Sequence, residues 1–117
     1  MNETILVVAP DSAFRLSLRF MLESEGYGVE VLADMTDFRL LRRRADCVIV
    51  DEEVLEQARS PVRALVDEGG PVIILADTSE DAPANDRVLV IEKPLLGSAV
   101  ISAVRILLDA PATRTAT

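Results

Sequence analysis

Four short, unbroken apolar runs constrain this chain more than any other feature. They are Ile5-Leu6-Val7-Val8, Cys47-Val48-Ile49-Val50, Val72-Ile73-Ile74-Leu75 and Val88-Leu89-Val90-Ile91. Each is too short for a helix and rich in β-branched side chains. None alternates with polar residues, so neither face of such a strand is meant for water. That pattern belongs to a parallel sheet whose crossovers cover both faces. Val29 to Leu32 supplies a further strand, which makes five in all.

The segments between the strands read as helices and turns. Pro10-Asp11-Ser12 breaks the first run, and Asp11 or Ser12 is a suitable N-cap for a helix over Ala13–Glu25. Phe14, Leu18, Met21 and Leu22 recur there at helical spacing, while Arg15, Arg19 and Glu23 form an exposed stripe. Gly26-Tyr27-Gly28 stops it, and a short helix through Phe38, Leu40 and Leu41 leads to the Cys47 strand. After Asp51, Val54, Leu55 and Ala58 suggest one or two helical turns. Ser60-Pro61 then opens a short helix carrying Val62, Leu65 and Val66, closed by Gly69-Gly70. Asp77 to Asp86, with Pro83 inside, reads as a loop. A last helix from about Ser98 to Leu108 turns Val100, Val104, Leu107 and Leu108 inward. Residues 1–110 form one domain, and 111–117 are expected to be a flexible tail. Strands alternating with helices make a doubly wound α/β sandwich on a five-stranded parallel sheet.

Composition narrows the function classes. Half the residues are hydrophobic, which fits a globular chain. A net charge of −8 argues against gripping nucleic acid. Arg42-Arg43-Arg44 is the local exception, and is read as a solvated helix end. The absence of histidine excludes Ser–His and Cys–His nucleophile pairs and His-ligated metal. The single cysteine, Cys47, allows no internal disulfide and fits a reducing cytoplasm. No apolar run approaches the ~20 residues of a membrane span, and the start lacks the basic region of a signal peptide.

The site is expected where Asp51 ends the Cys47 strand, because ligands of open α/β sheets bind beyond the carboxyl ends of strands. The ends after Val8, Val50 and Ile91 should lie side by side, bringing together Ala9-Pro10-Asp11, Asp51 and Lys93-Pro94. In these pieces, with Pro71-Val72-Ile73-Ile74-Leu75 and Val90-Ile91-Glu92-Lys93-Pro94-Leu95, the chain resembles the receiver domain of two-component response regulators over about residues 4–110. The resemblance implies a flavodoxin-like three-layer fold. It implies Asp51 as the phosphoacceptor, forming an aspartyl phosphate by attack on a phosphohistidine. It implies Lys93 as the partner of the phosphoryl oxygens and Pro94, usually after a cis bond, as the residue fixing that loop.

The departures from the family are as informative. The two acids that hold Mg²⁺ in receivers are matched by Ala9 and Pro10, which offer no side-chain ligand. Asp11, with Asp51, is a weak substitute ligand at best, so no cofactor or only weak Mg²⁺ is expected. Ala76 replaces the switch hydroxyl and Val90 the switch aromatic. The segments after Asp51 and after Ala76 are each about five residues shorter than in the family, which trims the third and fourth helical connections.

The resemblance implies a stand-alone bacterial signalling protein of the phosphorelay, not itself an enzyme. Its expected partner is a histidine kinase or phosphotransfer protein, with homodimerisation possible through the last helix, where Ile106 falls outside the inner stripe. Neither nucleic acid nor membrane is expected as a partner. The alternative is a pseudo-receiver that binds its partner without phosphorylation. A small-ligand binder ranks last, because Ala9-Pro10-Asp11-Ser12 is no phosphate loop.

Overall fold

The computed structural model describes residues 3–58, 65, 70–77, 87–93 and 97–116. Five strands, β1 (Thr4–Val8), β2 (Gly28–Leu32), β3 (Cys47–Asp51), β4 (Val72–Ala76) and β5 (Val88–Glu92), form one parallel sheet in the order β2-β1-β3-β4-β5. The helices are α1 (Ser12–Ser24), α2 (Phe38–Arg42), α3 (Glu52–Ala58) and α4 (Gly97–Ala116). Every apolar run of the sequence is a strand, and β1, β3 and β4 occupy the centre.

Successive side chains of a strand point to opposite faces, so each apolar run feeds two cores. On one face Ile5, Val7, Cys47, Ile49, Ile73 and Leu75 pack with Leu18 and Leu22 of α1 and Val100, Val104 and Leu107 of α4. On the other, Leu6, Val8, Val48, Val50, Val72 and Ile74 meet Phe38 of α2, Val54 and Leu55 of α3, and Leu65. Burying each of these side chains contributes roughly 1.5–3 kcal/mol. Three layers therefore follow from the absence of polar alternation.

The helix boundaries follow local chemistry. Asp11 caps α1, its Oδ1 accepting from the Ala13 N–H at 3.1 Å. Gly26 closes the same helix at φ +96°, a left-handed conformation that costs other residues more. The α4 backbone remains helical through Ala116, where the sequence suggested a tail from Pro111. Alanines at 110, 112 and 116 favour helix, against an interior Pro111 that removes one backbone hydrogen bond and crowds the carbonyl four residues earlier. The short helix through Phe38, Leu40 and Leu41 is α2, with Phe38 buried, Leu41 half-buried and Leu40 exposed. The Ser60–Gly69 helix, apart from buried, helical Leu65, and the loop beyond Asp77 lie outside the described residues.

Candidate functional site

Parallel register delivers the site. Val8 pairs with Val50, so the next residues, Ala9 and Asp51, stand at the ends of adjacent strands. Asp51 is the one buried charged residue among the described residues, with 4% of its surface exposed. Beyond β4, the chain leaves β5 at Lys93, whose N–H donates to the Ala76 carbonyl at 2.9 Å. That bond holds the Lys93 backbone against the end of β4. Its side chain then reaches across to β3, where Nζ donates to Asp51 Oδ1 at 2.9 Å.

The same oxygen accepts the Glu53 N–H at 2.9 Å, a side-chain turn that opens α3. Asp51 Oδ1 thus receives one ammonium and one backbone donor, and hydrogen bonds to an ionised acceptor are the strong kind. The Lys93 side chain is about a third exposed and that of Asp51 almost buried, so solvent screens the pair only partly. Around Lys93 opens a small cleft of about 190 Å³ whose other walls are Glu52, Glu53, Glu56 and Asp77. One cation faces several acids there.

At the β1 end, Ala9 is fully buried and Pro10 half-buried. Asp11 is turned to its capping role. Arg15, expected on the exposed stripe of α1, instead reaches back to the β1–α1 turn. Its Nη1 donates to the Ala9 carbonyl at 2.7 Å and to the Pro10 carbonyl at 3.0 Å. Only Arg19 and Glu23 of that stripe pair with each other, at 3.2 Å. No local signal marks Arg15 for this role, because the carbonyls become available only when the turn is folded.

The donor set does not suit Mg²⁺, which demands near-octahedral oxygen ligands, usually with more than one carboxylate. Among the described residues no group of three or more acidic, histidine or cysteine side chains is arranged to hold a metal. Asp51 has only Oδ2 to offer, since Oδ1 is already doubly engaged, and the Ala9 and Pro10 carbonyls accept from the Arg15 guanidinium. Ala76 is buried and Val90 half-buried, both against the α2–α3 layer. Neither offers a hydroxyl or a ring. Pro94, and with it the geometry of the Lys93–Pro94 bond, lies outside the described residues.

No family profile matches the sequence. Solved structures do match the fold. A response regulator receiver domain protein from Bacillus halodurans C-125 superposes with a TM-score of 0.72 at 18% identity, over 89% of this chain and 95% of that one. A CheY-like receiver domain protein from Methanospirillum hungatei JF-1 gives a TM-score of 0.72 at 23% identity, over 97% and 99%. At this identity they show the fold alone. Kinship rests on sequence: the transcriptional regulator protein FixT of Rhizobium meliloti (strain 1021) is 36% identical over 77 residues, 65% of this chain and 67% of that protein. With the receiver topology, the strand-end Asp51 and the Lys93 that reaches it, the chain belongs to the receiver domains of response regulators, as a relative of FixT.

Proposed function

We infer that this chain is a receiver-type protein-interaction module of two-component signalling that works without phosphorylation of Asp51. The observation that carries this is the state of Asp51 Oδ1: buried, and already bonded to Lys93 and to the Glu53 N–H. Phosphoryl transfer to a carboxylate needs cationic charge to offset what gathers on the phosphoryl oxygens. Lys93 supplies one such charge, and Glu52, Glu53, Glu56 and Asp77 oppose it. Lys93, the cation that a phosphoryl group on Asp51 would need, is committed to the Asp51 carboxylate in the unmodified chain.

A histidine kinase or phosphotransfer protein is the partner this reading favours, met in the cytoplasm. FixT is named a transcriptional regulator. With a net charge of −8, this chain would exert any such effect through a protein rather than by holding DNA. The α1–α4 layer is the candidate contact surface, also for a homodimer. Ile106 of α4 and Leu16 and Phe20 of α1 are at least half exposed there, and Arg105 of α4 is ion-paired with Glu25 just past α1. Large apolar side chains displayed together on one layer are what a partner would bury.

The conventional reading, phosphorylation of Asp51, is favoured by one observation: Oδ2 makes no hydrogen bond among the described residues and could act as nucleophile. Incubation with a small phosphodonor and Mg²⁺, followed by intact-mass measurement, separates the two. We expect no phosphoryl adduct, and expect Asp51→Asn to capture the same kinase or phosphotransfer protein as the parent. Stoichiometric phosphorylation, or loss of capture in Asp51→Asn, would establish the conventional reading instead. Ile106→Glu and Phe20→Glu should keep the fold and weaken capture or self-association, as read by sedimentation.

A further inference from the structure

At the end of the sheet opposite Asp51, arginines gather around a cleft. Arg39 and Arg42 of α2 and Arg43 just after it share its wall with Asp46 and with Gly70-Pro71, which precede β4. The cleft encloses about 440 Å³, within the range of small-molecule sites. Its floor is formed at Ala45, Cys47 and Val48, where β3 begins. Residues about thirty positions apart in sequence are needed to build it, so it is a product of the fold and not of the arginine run alone.

The arginines are not equivalent. Arg42 is fixed: its guanidinium lies over the Phe38 ring, 5.7 Å from the centroid, and its Nη2 approaches Gly70 closely. Any side chain at Gly70 would sit about 3.5 Å from that nitrogen, and the backbone there has φ +86°. Arg44, next in the run, points elsewhere and pairs with Glu30 at 3.5 Å. Arg39 and Arg43, one helical turn apart, are exposed and make no hydrogen bond or ion pair among the described residues. Among the described residues Asp46 is the one carboxylate in the wall, and its Oδ2 already accepts the Thr4 N–H at 2.8 Å. Among the described residues the wall thus holds Arg39, Arg42 and Arg43 against one carboxylate, in a chain that is otherwise strongly acidic, and Arg39 and Arg43 are the two available to a ligand.

From this arrangement we propose that the cleft binds a small phosphorylated ligand of nucleotide size. Guanidinium forks match phosphate oxygens two at a time, which suits Arg39 and Arg43 to a di- or triphosphate. The apolar side of the cleft, Ala45, Val48 and Pro71, accepts the uncharged body of the ligand. This site goes beyond the interaction role and does not depend on it, because no residue of the Asp51 end takes part.

The test is calorimetric titration of the full chain with ADP, pyrophosphate and inorganic phosphate, repeated on the Arg39→Gln/Arg43→Gln variant. ADP should bind more tightly than pyrophosphate, and the variant should lose at least about tenfold in ADP affinity, one such charge-assisted contact being worth that much. Circular dichroism melts check that the variant is folded, which exposed arginines should allow. Absence of ADP binding at millimolar concentration, or equal affinity in parent and variant, overturns the proposal. So does pyrophosphate binding as tightly as ADP, since the apolar wall would then do nothing. Tighter binding of a single-stranded oligonucleotide than of ADP would overturn it in favour of a nucleic-acid surface.

Discussion

The two ends of the sheet carry opposite charge and differ in how completely that charge is answered. At the carboxyl end a lone lysine, Lys93, stands among Glu52, Glu53, Glu56 and Asp77 and is committed to Asp51. At the amino end Arg39, Arg42 and Arg43 surround a cleft, and two of them are free of partners among the described residues. Strand β3 connects the two, beginning at Cys47 and ending at Asp51. At the end that defines the receiver family the one cation is committed to Asp51, while at the other end Arg39 and Arg43 have no partner among the described residues.

The largest expected effect comes from the amino end. Burial pushes the Cys47 thiol from its ordinary 9.0 up to about 12. Below pH 9 the thiol is protonated in both folded and unfolded chains and contributes no pH dependence. Between pH 9 and 12 the unfolded chain releases the proton and the folded one retains it. Stability should therefore fall by about 1.4 kcal/mol per pH unit over that window. Urea melts at pH 8 and 10.5 measure the loss, and Cys47→Ala should flatten it by about one proton. An equal slope in the variant would mean that the thiol is not held protonated.

At the carboxyl end, Lys93→Met should cost about 1–3 kcal/mol by leaving a buried carboxylate unanswered, with partial exposure of Lys93 setting the lower figure. Adding Asp51→Asn should recover part of the loss, and strict additivity in the double-mutant cycle would show that the two do not interact. A smaller effect, about 1 kcal/mol, is expected for Arg15→Met, which frees the Ala9 and Pro10 carbonyls. Chemical denaturation should place it well below Lys93→Met. The smallest is the response to Mg²⁺: no saturable heat on calorimetric titration of the parent. The Ala9→Asp/Pro10→Asp/Arg15→Met variant should gain measurable binding, since two acids return and the competing guanidinium leaves. Micromolar affinity in the parent would erase the contrast between the ends.

Much of this was readable from residues alone, and the reason is physical. Runs such as Val72–Leu75 admit few placements, because four apolar residues in a row have to be covered on both faces. Asp51 and Lys93 stand at the ends of such runs on the same edge of the sheet, and the long lysine side chain covers the remaining distance across β4. What could not be read depends on contacts between distant segments. Arg15 has the look of a surface stripe until a folded turn offers it two carbonyls. The arginines after Leu41 read as a solvated helix end, and that Arg42 and Arg43 also line a cleft with Gly70 and Pro71 depends on residues about thirty positions away. The helical course of 110–116 was hidden by Pro111, whose local signal outweighed the alanines around it.

The Asp51–Lys93 contact has a kinetic consequence. It joins residues 42 apart in sequence and spans β4, which lies between their two strands. Because the contact needs both β4 and β5 in place, it is expected to form late in folding, with a φ-value near zero for Lys93→Met as the check. Interactions made after the transition state govern how fast the native state is left, not how fast it is reached. Loss of the Lys93 ammonium should therefore steepen escape from the folded state and leave the refolding limb of the chevron almost unmoved. On this expectation the ion pair is a clasp fastened once the sheet is complete, one that lengthens the lifetime of the native state.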